Sequence, residues 1–228
     1  MIEITYLGHS AVLMKTDAVR LIVDPFLDGN PQAALAPSSI EVDVICVTHG
    51  HGDHVGDTVD IAKRNGSLVI APFELATYLD MKGCRVHPMH IGGAHSFGWG
   101  RIKLVPALHG SGFIEESGRI IYTGNPCGFL FYVDGKTIYH AGDTGLSAEM
   151  EIIGRMNQID VALLPIGDNF TMGPSDAAEA VRMLKPRTVV PIHYNTWEVI
   201  EQNPEGFAAQ VGGDVRVEII KPGEKLTI

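Results

Sequence analysis

The chain has 228 residues, of which 45% are hydrophobic and 19% are charged. This composition is typical of a packed globular protein and excludes a disordered, coiled-coil or collagen-like chain. With 17 Lys and Arg against 27 Asp and Glu, the formal net charge is −10, which disfavours general binding to nucleic acids or anionic membranes.

The first part of the chain shows short strand-like runs and then helical spacing. Strands are predicted over residues 2–7, 11–15, 19–23 and 42–47, and helices around 57–64 and 74–82. Further strands are predicted over 101–108, 128–133 and 136–140. The stretch 110–126, which lies between the first two of these, is a candidate substrate flap.

The second part of the chain has longer apolar runs. Residues 161–165 form a continuous apolar run, which is typical of a strand covered on both faces. The spacing of Ala177, Val181 and Leu184 predicts a helix that ends before Pro186. A strand over 188–192, a helix over 197–210 and strands over 215–220 and 225–228 complete the prediction. Strand-rich blocks followed twice by helices indicate two similar α/β halves, packed sheet to sheet in a single domain over 1–228.

A cluster of ligand-type side chains follows the predicted strand 42–47. In Thr-His-Gly-His-Gly-Asp-His (48–54), the imidazoles of His49, His51 and His54 and the carboxylate of Asp53 fall within six residues. The intervening glycines allow tight turns, so that neighbouring side chains can point to different centres. Imidazole and carboxylate groups suit Zn²⁺, Mn²⁺ or Fe²⁺, and the cluster therefore predicts a metal site.

Three distant residues lie where other predicted strands end. His109 follows strand 101–108, Asp143 follows strand 136–140, and His193 follows strand 188–192. Polar side chains at the carboxyl ends of strands are the usual site residues of α/β sheets. Taken singly, each residue is more often a polar residue that caps the end of a strand. Together with the cluster, the three residues predict a complete set of ligands.

With these residues, the chain resembles the metallo-β-lactamase superfamily, whose signature is His-x-His-x-Asp-His followed by a later His, Asp and His. It is most similar to the cytoplasmic metal-dependent hydrolases near ascorbate-phosphate lactonase. The supporting segments are 6–10, 24–31, 171–174 and 193–197. The resemblance implies an α/β fold of the metallo-β-lactamase type, a four-layer αββα sandwich, with two divalent metal ions. Zn²⁺ and Mn²⁺ are the expected ions.

The resemblance also implies a role for each ligand. The first ion is expected on His49, His51 and His109. The second ion is expected on Asp53, His54 and His193, with Asp143 as the bridge between the two ions. Asp24 corresponds to an aspartate that orients ligands, a role that fits the need of a ligating histidine for a hydrogen-bond acceptor. Its alternative is a simple turn before Pro25.

Other polar residues have two interpretations each. His9 lies in a turn and either contacts substrate or metal-bound solvent, or only packs in that turn. His140 is a candidate catalytic proton donor beside the candidate catalytic carboxylates Asp53 and Asp143, or else a histidine of the core. A further group consists of expected substrate contacts that could equally be loop or helix-entry residues, namely Asp168, Thr171 and Asn195.

The sequence thus predicts a dinuclear metal-dependent hydrolase, in which a hydroxide shared by two ions attacks a carbonyl or phosphoryl centre of a small anionic lactone, ester or phosphodiester. A nuclease of the same superfamily and a non-catalytic metal-binding module are the alternatives. Three scattered cysteines without a CxxC pair, no signal peptide and no membrane-spanning run predict a cytoplasmic protein. Neither a nucleic acid nor a membrane is expected as a partner, and an oligomer stays open.

Overall fold

The computed structural model describes the whole chain, Met1–Ile228. The strands are β1 (Glu3–Gly8), β2 (Ala11–Lys15), β3 (Arg20–Val23), β4 (Val44–Cys46), β5 (Leu68–Pro72), β6 (Arg85–Met89), β7 (Ala94–Phe97), β8 (Gly100–Pro106), β9 (Gly112–Ile114), β10 (Ile120–Tyr122), β11 (Cys127–Val133), β12 (Lys136–His140), β13 (Val161–Pro165), β14 (Thr188–Ile192), β15 (Arg216–Val217) and β16 (Lys225–Thr227). The α-helices are α1 (Gly52–Val55), α2 (Thr58–Asn65), α3 (Phe73–Met81), α4 (Glu149–Met156), α5 (Pro174–Leu184) and α6 (Pro204–Val211).

The chain forms two compact units, each built from more than one segment. The first unit consists of Met1–Ile91, Gly110–Pro126 and Lys221–Ile228, and the second of Gly92–His109 and Cys127–Ile220. The last strand therefore returns to the first unit, where β16 pairs with β1. The expectation of a single domain over 1–228 stays a prediction.

The first unit contains a seven-stranded mixed sheet in the order β16-β1-β2-β3-β4-β5-β6. Strands β1 and β3 both run antiparallel to β2, and β3 to β6 are mutually parallel. Consequently β1, β3, β4 and β5 end at the same edge of the sheet. Apolar side chains of the strands and of α2 and α3 form its core, which includes Ile22, Ile45, Ile61 and Leu75. The hairpin β9-β10 also belongs to this unit.

The second unit repeats this plan with a sheet in the order β15-β14-β13-β12-β11-β8-β7. Strands β12 to β15 are parallel, while β11 is antiparallel to both β12 and β8. The carboxyl ends of β8, β12, β13 and β14 therefore meet at one edge. The core includes Leu130, Leu164, Val181 and Phe207, from strands and from helices α5 and α6.

Most of the predicted elements are present, and β2, β12, β13 and β14 have the predicted bounds. The helix predicted over 197–210 is wrong in its first half, because Glu198–Ile200 is a short 3-10 helix and α6 begins only at Pro204. Proline lacks the N–H that a continuous helix requires, so it opens a new helix instead. The strand expected over 215–220 is reduced to β15. None of the helices has the length and apolar character needed to span a bilayer.

Candidate metal centre

The carboxyl end of β4 carries the histidine-rich segment 48–54 of the first unit. His49 and His54 are fully buried, and His54 lies in α1 together with Asp53. Because β1, β3 and β4 end at the same edge, His9 and Asp24 lie at that edge as well. The fold of this unit thus places the predicted ligands of the segment beside Asp24, which was expected to orient them, and beside His9.

Asp24 accepts the hydrogen bonds that orient two histidines. Its buried carboxylate lies 2.8 Å from the backbone nitrogen of Thr48, 2.7 Å from the Thr48 hydroxyl and 2.8 Å from Nδ1 of His54. Since the hydroxyl donates its proton to Asp24, it accepts from Nδ1 of His49, at 2.9 Å. Both imidazoles therefore carry a proton on Nδ1 and present the Nε2 lone pair, as metal binding requires.

The donor atoms of the first unit lie close enough to share ions. Nε2 of His49 lies 2.9 Å from Nδ1 of His51, and Oδ2 of Asp53 lies 4.0 Å from Nε2 of His54. The candidate ligand atoms of His9, Asp53 and His54 all lie within 4.8 Å of one another. Imidazole nitrogens with this tautomer and a partly exposed carboxylate suit Zn²⁺ or Mn²⁺, so the residues present fit a divalent ion.

The base of the β9-β10 hairpin holds the loop that carries His49 and His51. The backbone nitrogen of Gly50 donates to Oγ of Ser111 at 3.0 Å, and that oxygen lies 2.7 Å from Oγ1 of Thr123. A Cβ at residue 50 would overlap the Thr123 hydroxyl, so this position admits only glycine without a shift of the hairpin. The candidate flap is thus a hairpin anchored to the ligand loop.

In the second unit, three predicted ligands converge at the edge where β8, β12 and β14 end. Oδ2 of Asp143 lies 3.0 Å from Nε2 of His193 and 3.6 Å from Nε2 of His109. Asp143 and His193 are buried, and His193 adopts the left-handed backbone conformation with φ of 54°. Such a conformation costs free energy for a non-glycine residue, so the surrounding contacts must hold it.

His140 and Thr144 shape the turn that presents Asp143. His140 is fully buried, and its Nδ1 accepts a hydrogen bond from the backbone nitrogen of Gly142 at 3.1 Å. The hydroxyl of Thr144 accepts from the backbone nitrogen of Leu108 at 2.9 Å, which ties this turn to the loop before His109. These contacts give His140 a role in the turn, and its role as a proton donor stays a prediction.

The expected substrate contacts of the second unit serve their own loops. Oδ1 of Asp168 accepts from the backbone nitrogen of Asn169, and Thr171 donates to the Met172 carbonyl. Oδ1 of Asn195 accepts from the backbone nitrogen of Gln202 at 2.7 Å. Asp168 and Asn195 are exposed, and contact with substrate stays a prediction for all three residues.

Sequence reasoning missed the hydroxyl residues of the centre. Thr48, Ser111, Thr123 and Thr144 connect ligand loops to neighbouring elements. Only Thr48 had a signal in the sequence, because it lies between a buried strand and the first ligand. The remaining three are ordinary loop residues whose partners become visible only in the fold.

Cys46 lies in β4, two residues before Thr48, and is fully buried. Burial, together with the negative charge of Asp24, raises the pKa of the Cys46 thiol well above its usual range. The thiol thus stays protonated and packs as an apolar group.

The chain is similar to known proteins in sequence and in fold. The family described as a beta-lactamase superfamily domain matches residues 19–194. A UPF0173 metal-dependent hydrolase of Anoxybacillus flavithermus is 56% identical over 226 residues, covering 99% of this chain and 100% of that protein. One from Desulforamulus reducens is 54% identical over 230 residues, covering 99% and 100%. The solved structure of Igni18, a metallo hydrolase from Ignicoccus hospitalis, has a TM-score of 0.90 at 36% identity and covers 99% of this chain and 97% of its own.

The fold and the ligand segments define a metallo-β-lactamase-type hydrolase, as the sequence predicted. The chain belongs to the beta-lactamase superfamily domain family and to its metal-dependent hydrolases.

Proposed function

We propose that the chain is a dinuclear hydrolase that acts on a carbonyl or phosphoryl centre of a small anionic substrate. The observation that carries this proposal is the set of ligand-type side chains at the strand ends of each unit. Within the first unit, His49 and His54 present Nε2 lone pairs. Within the second unit, Asp143 lies between two imidazoles.

Each ion would have its own ligands in this proposal. His49, His51 and His109 would hold one ion, and Asp53, His54 and His193 the other, with Asp143 shared by both. Two bound Zn²⁺ or Mn²⁺ ions would supply a water nucleophile near neutral pH and stabilise the negative charge that develops on the substrate. The ligands are uncharged imidazoles and only two carboxylates, so the loaded centre would be locally positive and suited to a small anion.

The residues of the chain prepare the centre rather than attack the substrate. Asp24 keeps His54, and through Thr48 also His49, in the tautomer that binds metal. The three cysteines are buried, and the raised pKa of Cys46 removes it as a nucleophile. Burial and the raised pKa favour water as the nucleophile. None of the three cysteines forms a disulfide, which fits the proposed cytoplasmic location.

Substitution of one ligand from each unit tests the proposal. His51→Ala and Asp143→Ala are each expected to lose bound Zn²⁺ or Mn²⁺ and to lower hydrolysis at least about a hundredfold, since such a centre acts as one unit. Metal content is measured by elemental analysis, and activity with a panel of a lactone, an aryl ester and a phosphodiester. The exposed His90, in the variant His90→Ala, is the matched control.

The panel also separates the alternatives. Hydrolysis that persists in a metal-free His51→Ala protein would contradict the proposal. Cleavage of RNA with a steep dependence on salt would favour a nuclease. Full metal loading with no turnover of any substrate class would favour a non-catalytic metal-binding module.

A further inference from the structure

His9 occupies a buried and conformationally costly position at the end of β1. Its side chain is fully buried, and its backbone lies in the left-handed region with φ of 56°. The Tyr6 hydroxyl donates to the His9 carbonyl at 3.0 Å, and the Phe26 ring packs edge-on with ring centroids 5.7 Å apart. Because this conformation costs free energy, contacts such as these must offset that cost, and they fix the position of the residue.

The imidazole of His9 faces a predicted metal ligand. Nε2 of His9 lies 3.2 Å from Oδ2 of Asp53. An ionised carboxylate has no proton to donate, so His9 must be the donor in this hydrogen bond. The donation occupies one direction of the Asp53 carboxylate and restricts its rotation. Asp53 is 29% exposed in its side chain, so this bond fixes a carboxylate that solvent also reaches.

The next residue of α1, His54, is likewise held by a hydrogen bond to a left-handed residue at a strand end. Asp24 follows β3, has a left-handed backbone with φ of 47°, and fixes His54 through a hydrogen bond. His9 follows β1, which runs in the same direction as β3 and ends at the same sheet edge. The consecutive residues Asp53 and His54 are thus held by separate left-handed residues, a histidine for the carboxylate and a carboxylate for the histidine.

We propose that His9 is a positioning residue that orients the Asp53 carboxylate for metal binding, an inference that rests on the proposed function. Outer hydrogen-bond partners of ligands typically contribute 10- to 100-fold to metal affinity. His9 would act in this way on the ion that Asp53 binds, while the ion on the other ligands would be less affected.

Three variants at this position test the inference. In His9→Gln the side-chain amide nitrogen can replace Nε2 as a donor, whereas in His9→Asn the shorter side chain does not reach Asp53, and His9→Ala removes the donor. Asn adopts the left-handed conformation more readily than Gln. Backbone strain alone would therefore favour His9→Asn, the variant whose amide does not reach Asp53. Affinities for Zn²⁺ and Mn²⁺ are measured by competition with a chromophoric chelator, and thermal melting of the metal-free proteins reports folding.

We expect His9→Asn and His9→Ala to lower the binding affinity for one of the two ions by about 10- to 100-fold. The affinity of His9→Gln should stay within about threefold of wild type. Unchanged affinity in His9→Asn would overturn the inference. An affinity of His9→Gln as low as that of His9→Asn would also overturn it, because His9 would then be a ligand or a purely structural residue. If His9→Ala does not fold, the comparison of Gln with Asn still decides. A wild-type protein that binds no ion would instead contradict the proposed function.

Discussion

Oδ2 of Asp24 lies 2.8 Å from Nδ1 of His54, and both side chains are completely buried. A carboxylate in such a position needs several donors to offset its loss of hydration. Asp24 obtains them from His54 and from the backbone and hydroxyl of Thr48. The carboxylate thus stabilises the end of β4 and at the same time selects the metal-binding tautomer of His54.

Substitution Asp24→Asn is expected to weaken metal binding about 10- to 100-fold. The amide keeps the shape of the side chain, but its NH₂ group would face a donor, and the preference for the Nδ1-protonated imidazole would be lost. Chelator competition measures the affinity, and the exposed Asp28, as Asp28→Asn, is the control. Wild-type affinity in Asp24→Asn would show that the tautomer is fixed by other groups.

The charge of Asp24 also bears on the thiol of Cys46. Burial and the charge of Asp24 raise the pKa of the Cys46 thiol. The pKa of the Cys84 thiol is raised as well, chiefly by burial. Because the thiolate is the reactive form and all three cysteines are buried, the native protein is expected not to react with Ellman's reagent within minutes at pH 8. The unfolded protein in guanidinium should release one equivalent for each cysteine. Rapid reaction of a native thiol would mean that the segment around that cysteine opens.

Much of the site could be predicted because its ligands follow apolar runs. The segment 48–54 and residues His109, Asp143 and His193 lie at the ends of strands β4, β8, β12 and β14, whose apolar composition is visible in the sequence. Parallel strands end at a common edge, so recognition of the strands was enough to group the side chains within each unit.

Two of the missed elements, β6 and α4, have weak local signals, whereas β5 was missed although it is an apolar and mostly buried run. Strand β6 has mostly exposed or half-buried residues and contains Pro88, so it shows neither a continuous apolar run nor alternation. Helix α4 contains Gly154, which lowers its helical propensity. A Cβ at Gly154 would overlap backbone atoms of α5 around Leu184, so close packing requires the glycine at this position. The packing of α4 against α5 thus explains both the glycine at residue 154 and the presence of a helix there.

A pH-dependent contribution to stability is expected from Asp43. Its pKa is lowered by the hydrogen bond from the backbone nitrogen of Arg20, at 2.9 Å, and by the Arg20 guanidinium. A carboxyl whose pKa is lower in the folded state stabilises the protein above its unfolded pKa of about 3.9, and this contribution disappears as the pH falls through the folded pKa.

Asp43→Asn should therefore reduce the free energy of unfolding at pH 7 by no more than about 1 kcal/mol, because both side chains are partly exposed and solvent screens their charges. The difference between variant and wild type should be smaller at about pH 3, below the unfolded pKa, than at pH 7. Urea unfolding of the chelator-treated proteins at both pH values measures it. A difference that is equal at the two pH values would assign the effect to shape rather than charge.

Gly50 is expected to be the most sensitive glycine of the ligand loop. In Gly50→Ala the new methyl group would overlap the hydroxyl of Thr123 and lie 2.8 Å from its Cβ. The hairpin must then move away from the loop, which we expect to cost about 1–3 kcal/mol of stability and to weaken metal binding. Gly52→Ala is the matched control, since nothing lies within 4 Å of a Cβ there.

A double-mutant cycle separates this contact from general loop strain. Thr123→Gly removes the atoms that a methyl group at residue 50 would meet, so Gly50→Ala should be less destabilising in that background than in wild type. Urea unfolding gives the coupling free energy, and chelator competition gives the metal affinity of each variant. If the two substitutions add without coupling, the methyl group acts through the backbone of the His49–Gly50–His51 turn and the hairpin does not constrain the ligand loop.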